Sequence, residues 1–122
     1  MGKPILCLDF DGVIHSYASG WKGADVIPDP PVEGAIRFLQ EAMQHFRVAI
    51  YSSRSGQPGG IKAMVQWLHQ ALEDAQETLP GEIEWPTEKP PAMIGIDDRV
   101  LTFTGKWPTM KTLQEFKPWN KQ

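Results

Sequence analysis

The sequence predicts an α/β domain built on a mainly parallel sheet, and three observations lead there. Apolar runs of strand length, at residues 4–9, 47–53 and 92–97, alternate with stretches of helical periodicity. Strands that alternate with helices pair in parallel through right-handed crossovers. Each apolar run also stops on a polar signature: Asp-Phe-Asp-Gly at 9–12, Ser-Ser-Arg at 52–54 and Asp-Asp-Arg at 97–99. In an open parallel sheet the strand ends share one edge, so signatures far apart in the chain converge on one place. Residues 1–122 read as one domain, without repeat or linker, and are numerous enough to bury a core unaided by disulfides.

The first strand, residues 4–9, is a continuous apolar run, which suits a strand covered on both faces. Residues 15–27, HSYASGWKGADVI, hold two glycines and two aromatics without helical period and predict a short hairpin or flap. The clearest helix is DPPVEGAIRFLQEAMQHF, residues 29–46, where Val32, Ile36, Leu39, Met43 and Phe46 recur at spacings of four and three. Asp29 is its expected cap, with prolines in the first turn. RVAIYSS, residues 47–53, is rich in β-favouring side chains. SGQPGG then opens a second helix whose apolar face is Ile61, Met64, Val65, Leu68 and Leu72. A short extended piece near Ile83 and Trp85 and the rigid WPTEKPPA lead to the third strand, AMIGID. RVLTFTGKW is expected to add an edge strand and TMKTLQEF a terminal helix.

The formal charge of −3, from 12 basic and 15 acidic residues, argues against a surface built mainly to hold nucleic acid. The charge is uneven, acidic from Glu73 to Glu88 and basic through Lys106, Lys111, Lys117 and Lys121, which reads as a solvated helix face and a soluble tail. The single cysteine, Cys7, lies within an apolar run and reads as a small core residue in a reducing compartment. The opening run ILCL is too short for a signal-peptide core or a membrane span. The expectation is a cytoplasmic protein with no membrane association.

Asp9 and Asp11 lie two positions apart, on the same side of an extended backbone, and repel unless a cation stands between them. Bringing Asp97 and Asp98 to the same edge makes four carboxylates that weaken the fold unless neutralised. Magnesium is the matching ion, because it is held by carboxylates, a backbone carbonyl, water and phosphate oxygens. His15, His45 and His69 show no ligand spacing and read as packing or surface residues.

The ordered set DFDGV, IYSSR and GIDDR resembles the haloacid dehalogenase superfamily of phosphoryl-transfer enzymes, over residues 5–99. The resemblance implies a Rossmann-like, three-layer α/β/α domain and a magnesium-dependent phosphatase that acts through an aspartyl-phosphate. It implies Asp9 as nucleophile and metal ligand. It makes Asp11 the general acid and base, its carbonyl joining the metal, and gives Asp97 and Asp98 the acidic metal site, with either one binding directly. A carboxylate nucleophile is effective when metal and donors absorb the phosphoryl charge. Asp11 must be able to hold a proton, so its surroundings should differ from those of Asp9. Gly12 lets the backbone turn close to the phosphate. Ser52 matches the strand-terminal hydroxyl that bonds a phosphoryl oxygen, and Arg54 offers a forked donor to phosphate. The lysine that screens nucleophile and phosphate is either Lys62, at the start of the second helix, or Lys89, just before the third strand.

Residues 13–28 hold only a small flap and residues 54–91 one helix and a connector, so the resemblance is to a member without a cap domain. An open site admits a phosphorylated small molecule or the phosphorylated end of a nucleic acid, or borrows a lid from a partner subunit in a homo-oligomer. Tyr17 and Trp21 on the flap either stack on a base or sugar or steady the flap itself. The alternative function is a non-catalytic or regulatory module of the same fold that binds magnesium and phosphate without turnover.

Overall fold

Leu6 and Leu8 alternate with the half-buried Ile5 and Cys7 along the first strand, so one face of that strand enters the core while the other is only partly covered. The computed structural model describes residues 2–121. Its elements run β1 (Ile5–Leu8), α1 (Ala35–Ala42), β2 (Arg47–Ile50), α2 (Gly60–Ala75), β3 (Ile94–Ile96) and α3 (Met110–Gln114), with a 3-10 turn at Trp119–Lys121. The three strands form one open, all-parallel sheet in the order β2-β1-β3. The α/β class and the parallel pairing are as the alternating pattern predicts.

Register positions the site. Leu8 stands opposite Ile50 on one side and Ile96 on the other, so all three strands finish at one level. The residues that follow them, Asp9, Tyr51 with Ser52, and Asp97, therefore emerge along one edge. On the outer side of β2, Glu84 forms a single parallel bridge with Ala49, where the sequence suggests an extended piece.

The core joins Leu6, Leu8, Phe10 and Ile14 to Leu39 of α1, Val48 and Ile50 of β2, and Met64 and Leu68 of α2. Leu39 is fully buried, so truncating it to alanine would cost about 2–5 kcal/mol. The stripes read from the sequence supply this core, but α1 is shorter than the 29–46 expected. It starts at Ala35, after Gly34 at φ 84°, and Asp29 is not its cap. The Asp29 carboxylate instead accepts from the Ser19 backbone N–H (2.8 Å) and hydroxyl (2.6 Å), pinning the flap to the helix approach. The flap is not a hairpin either: residues 16–30 hold no strand, only turns and bends.

The C-terminal quarter differs from the expectation most. The third strand forms as expected, but shorter than 92–97, and its Ile94 and Ile96 are 54 % and 40 % exposed. RVLTFTGKW forms no strand, and α3 buries no residue. The tail is nevertheless tied back: Trp119 Nε1 donates to the Gly12 carbonyl (2.7 Å) and Asn120 Nδ2 to that of Ser16 (3.4 Å). No described helix is long and apolar enough to cross a membrane.

Candidate active site

The Asp9 N–H donates to the Ile96 carbonyl (2.9 Å), which extends the β1–β3 ladder by one step and brings Asp9 beside the end of β3. One carboxylate oxygen each from Asp9, Asp97 and Asp98 then lies within 4.8 Å of the others. The Asp98 side chain is only 2 % exposed, and its Oδ1 has no hydrogen-bond partner. A buried, unpaired carboxylate oxygen is costly and calls for a cation. The one ion pair found for these acids among the described residues is loose: the half-exposed Arg99 Nε stands 3.8 Å from Asp98 Oδ2, while the Arg99 backbone N–H donates to Asp97 Oδ1 (2.8 Å).

Gly12 gives Asp98 its place. It adopts φ 79°, and a Cβ there would fall on Asp98 Oδ2, so the close approach the sequence assigns to a phosphate is made by this carboxylate. Burial, the charge of Asp97 and the neighbouring Asp98 push the Asp9 carboxyl up to about 8, against the opposing hydrogen bond from the Phe10 N–H. Without a cation the cluster therefore keeps a proton on Asp9. An all-oxygen donor set, one orphaned buried oxygen and an acid forced to hold its proton fit a hard divalent ion such as magnesium.

Asp11 is placed differently from Asp9, in the sense opposite to a proton-holding role. Its side chain lies outside the three-acid cluster and accepts from Arg54 Nε (3.0 and 3.2 Å), Arg54 Nη2 (3.1 Å) and His15 Nδ1 (2.9 Å). Burial alone would raise its proton affinity, but the hydrogen bonds of His15 and Arg54 and the guanidinium charge hold the carboxyl below its ordinary value. The strand ends at Leu8 and the chain bends at Phe10, between the two acids, which is why period-two reasoning does not keep Asp11 beside Asp9.

Arg54 is fully buried, and its donors are committed within the protein. Besides Asp11 it serves the carbonyls of Gly23, Ala24 and Val26 through Nη1, and its guanidinium lies 4.7 Å from the centre of the Trp21 ring. It is the pin of the flap rather than a free fork for phosphate. Gly60 has no room for a side chain because a Cβ would strike the Arg54 carbonyl, so the start of α2 helps set this arginine. Trp21 accordingly steadies the flap, and Tyr17 meets the His15 ring edge-on at 6.0 Å.

Ser52 is buried at the end of β2, where its Oγ accepts from the Arg54 N–H (3.1 Å) while its own N–H donates to Ser55 Oγ (3.0 Å). Of the two lysines, Lys89 lines a cleft of about 600 Å³ together with Cys7, Asp9, Tyr51 and Asp97. Lys62 is exposed on the first turn of α2 and is not among the residues of that cleft.

Two residues are missed by the sequence reading. His15 is fully buried, and its Nε2 accepts from the Asp29 N–H (3.1 Å). A backbone amide can only donate, so the ring proton sits on Nδ1 and is given to Asp11. The i,i+4 spacing from Asp11 was the only signal of this contact. Trp119 seals the Gly12 carbonyl from more than a hundred positions away, for which the sequence offers no sign.

No protein-family model, curated protein or solved structure matches this chain.

Proposed function

We propose that this chain is a magnesium-dependent phosphatase of the haloacid dehalogenase type, on a Rossmann-like sheet of three-layer α/β/α descent and without a cap domain. The observation that carries the reading is the convergence of Asp9, Asp97 and Asp98 from two separate strand ends, with a buried Asp98 oxygen left unpaired. When bound, magnesium would be held by these three acids and would draw off charge from the phosphoryl oxygens. Asp9 then stands as the carboxylate that attacks phosphorus, forming an Asp9 acyl phosphate as the bond to the leaving alcohol breaks. Ser52 Oγ accepts from Arg54 and so keeps its own proton for a phosphoryl oxygen. Lys89, in the same cleft as Asp9, adds positive charge there.

Asp11 takes part as acid and base only if its proton affinity rises. A phosphate dianion arriving beside it raises that affinity, because like charge disfavours a second anion. Attack of water on the phosphorylated Asp9 then frees phosphate and restores the carboxylate. The substrate class is a phosphomonoester, either a small molecule or a nucleic-acid end.

With magnesium present, the protein should release phosphate from an aryl phosphate, and Asp9→Asn should abolish it. Full activity in that variant would remove the mechanism. The hold of Arg54 and His15 on Asp11 favours a second reading, a regulatory module that is phosphorylated on Asp9 and hydrolyses slowly. It is distinguished by acid-quenched labelling, in which phosphoprotein accumulates without release of phosphate.

A further inference from the structure

Fourteen large hydrophobic side chains are exposed among the described residues, and eleven of them fall between Met93 and Trp119. Ten of these eleven line two clefts. Met93, Ile94, Ile96 and Val100 border the cleft beside β3, while Leu101, Phe103, Trp107 and others line a second cleft made wholly by residues 99–116. Trp107 is 85 % exposed, Met93 69 % and Met110 68 %. At on the order of 100 Å² each, these side chains present about 1,000 Å², beyond the 300–600 Å² patch usual on a monomer and close to the ~800 Å² each partner contributes to a stable interface.

The sheet supplies a second, independent observation. β3 is its outermost strand, and no described strand lies beyond it. The Ile96 carbonyl is spent on Asp9, so Ile96 faces β1. By the alternation of a strand, Gly95 turns its N–H and C=O outward. The run Met93–Ile96 contains neither charge nor proline, the devices that normally blunt a free edge.

We propose that this face is the seam of a homodimer, in which β3 of one chain pairs antiparallel with β3 of a second copy about a two-fold axis centred on Gly95. A two-fold contact must be self-complementary, and an edge strand paired antiparallel with itself satisfies this without any other sequence. The register also avoids like charges. Counting outward from Gly95, Asp97 falls opposite Met93 of the second copy and Asp98 opposite its Ala92, so no two carboxylates face each other. Val100, Leu101 and Phe103, exposed and directly after β3 in the chain, would extend the apolar contact, with Lys106 and Lys111 left for the polar rim. Pairing of β3 would steady the least buried strand of the sheet, the one that leads into Asp97 and Asp98.

The full chain is examined by light scattering coupled to size exclusion, alongside Gly95→Pro and Met93→Lys. Proline is tolerated on an edge strand where its lost N–H faced solvent, and lysine at the edge opposes pairing. Wild type should have the mass of two chains. Both variants should have the mass of one, with unchanged far-ultraviolet circular dichroism. A wild type that stays monomeric up to its highest soluble concentration overturns the proposal, as does a folded variant that remains dimeric. Hydrogen exchange on the wild type decides the matter if a variant fails to fold. The Gly95 amide should be protected at high concentration and lose protection on dilution. Fast exchange at every concentration contradicts the seam.

Discussion

The half of the molecule around β1, β2, α1 and α2 and the segment from β3 to the tail are built on opposite principles. In the first, Leu8, Leu39, Ile50 and Met64 have no exposed surface, and even a guanidinium, that of Arg54, is fully enclosed with its partners. In the second, β3 and α3 bury nothing, and the tail is tied down at Trp119 and Asn120. The candidate site lies where the two meet, with Asp9 rooted in the packed half and Asp97 and Asp98 on the exposed one. Asp9, held by the packed half, is thus set against acids whose own strand depends on what it contacts. A bound cation would add to the β1–β3 ladder that already crosses that boundary.

Breaking the packed half should have the largest effect. Arg54→Met leaves Asp11 without its guanidinium partner and three flap carbonyls without a donor, and removing one member of a buried pair costs about 3–5 kcal/mol. Urea unfolding should show that loss. A change below about 1 kcal/mol, the value of an exposed pair, would mean that the flap is not pinned this way.

Changing the boundary should act in the opposite direction. Asp98→Asn removes one charge from a crowded acidic cluster, so the metal-free variant should be more stable than wild type by about 1 kcal/mol. It should also lose any stabilisation that magnesium gives the wild type. Thermal melts with chelator and with magnesium read both signs, and a less stable metal-free variant would show that Asp98 is not under repulsion. The tail should give an effect of similar size and destabilising sign. Trp119→Phe keeps the ring and loses one hydrogen bond to Gly12, so it should lower stability by about 0.5–1.5 kcal/mol, measured in the same melts.

The two regions were also unequally legible in the sequence. Runs such as Arg47–Ile50 and the stripe Met64–Leu68 announce themselves because periodicity and burial share one cause, the facing core. The three polar signatures were legible for a related reason: a strand that stops on Asp or Ser marks the sheet edge. What failed was whatever depended on a distant partner. Asp29 looks like a cap until Ser19 takes its carboxylate. Arg54 looks like a phosphate fork until Asp11, 43 residues earlier, and three flap carbonyls use up its donors. The apolar Met93–Ile96 is legible as a strand but not as an exposed one, because composition reports an affinity for burial, not the presence of a covering layer. Asp9 and Asp11 are alike in sequence. They separate because the chain bends at Phe10, which gives one of them to Asp97 and Asp98, the other to Arg54 and His15.

That separation has a pH signature. In metal-free protein Asp9 holds its proton up to about 8, far above an unfolded aspartate, so its contribution to stability is present at low pH and lost as pH rises through that value. Asp11 is lowered and works the other way, with its contribution lost as pH falls through the acid range. A cation that takes the place of the Asp9 proton must release it. The most direct test is titration calorimetry of magnesium into metal-free protein at pH 7, in two buffers of different ionisation enthalpy. The expected result is one ion per chain, with proton release that disappears in Asp9→Asn. Absence of binding at millimolar magnesium, or binding that releases no proton, would contradict the claim that these acids gather around one divalent ion.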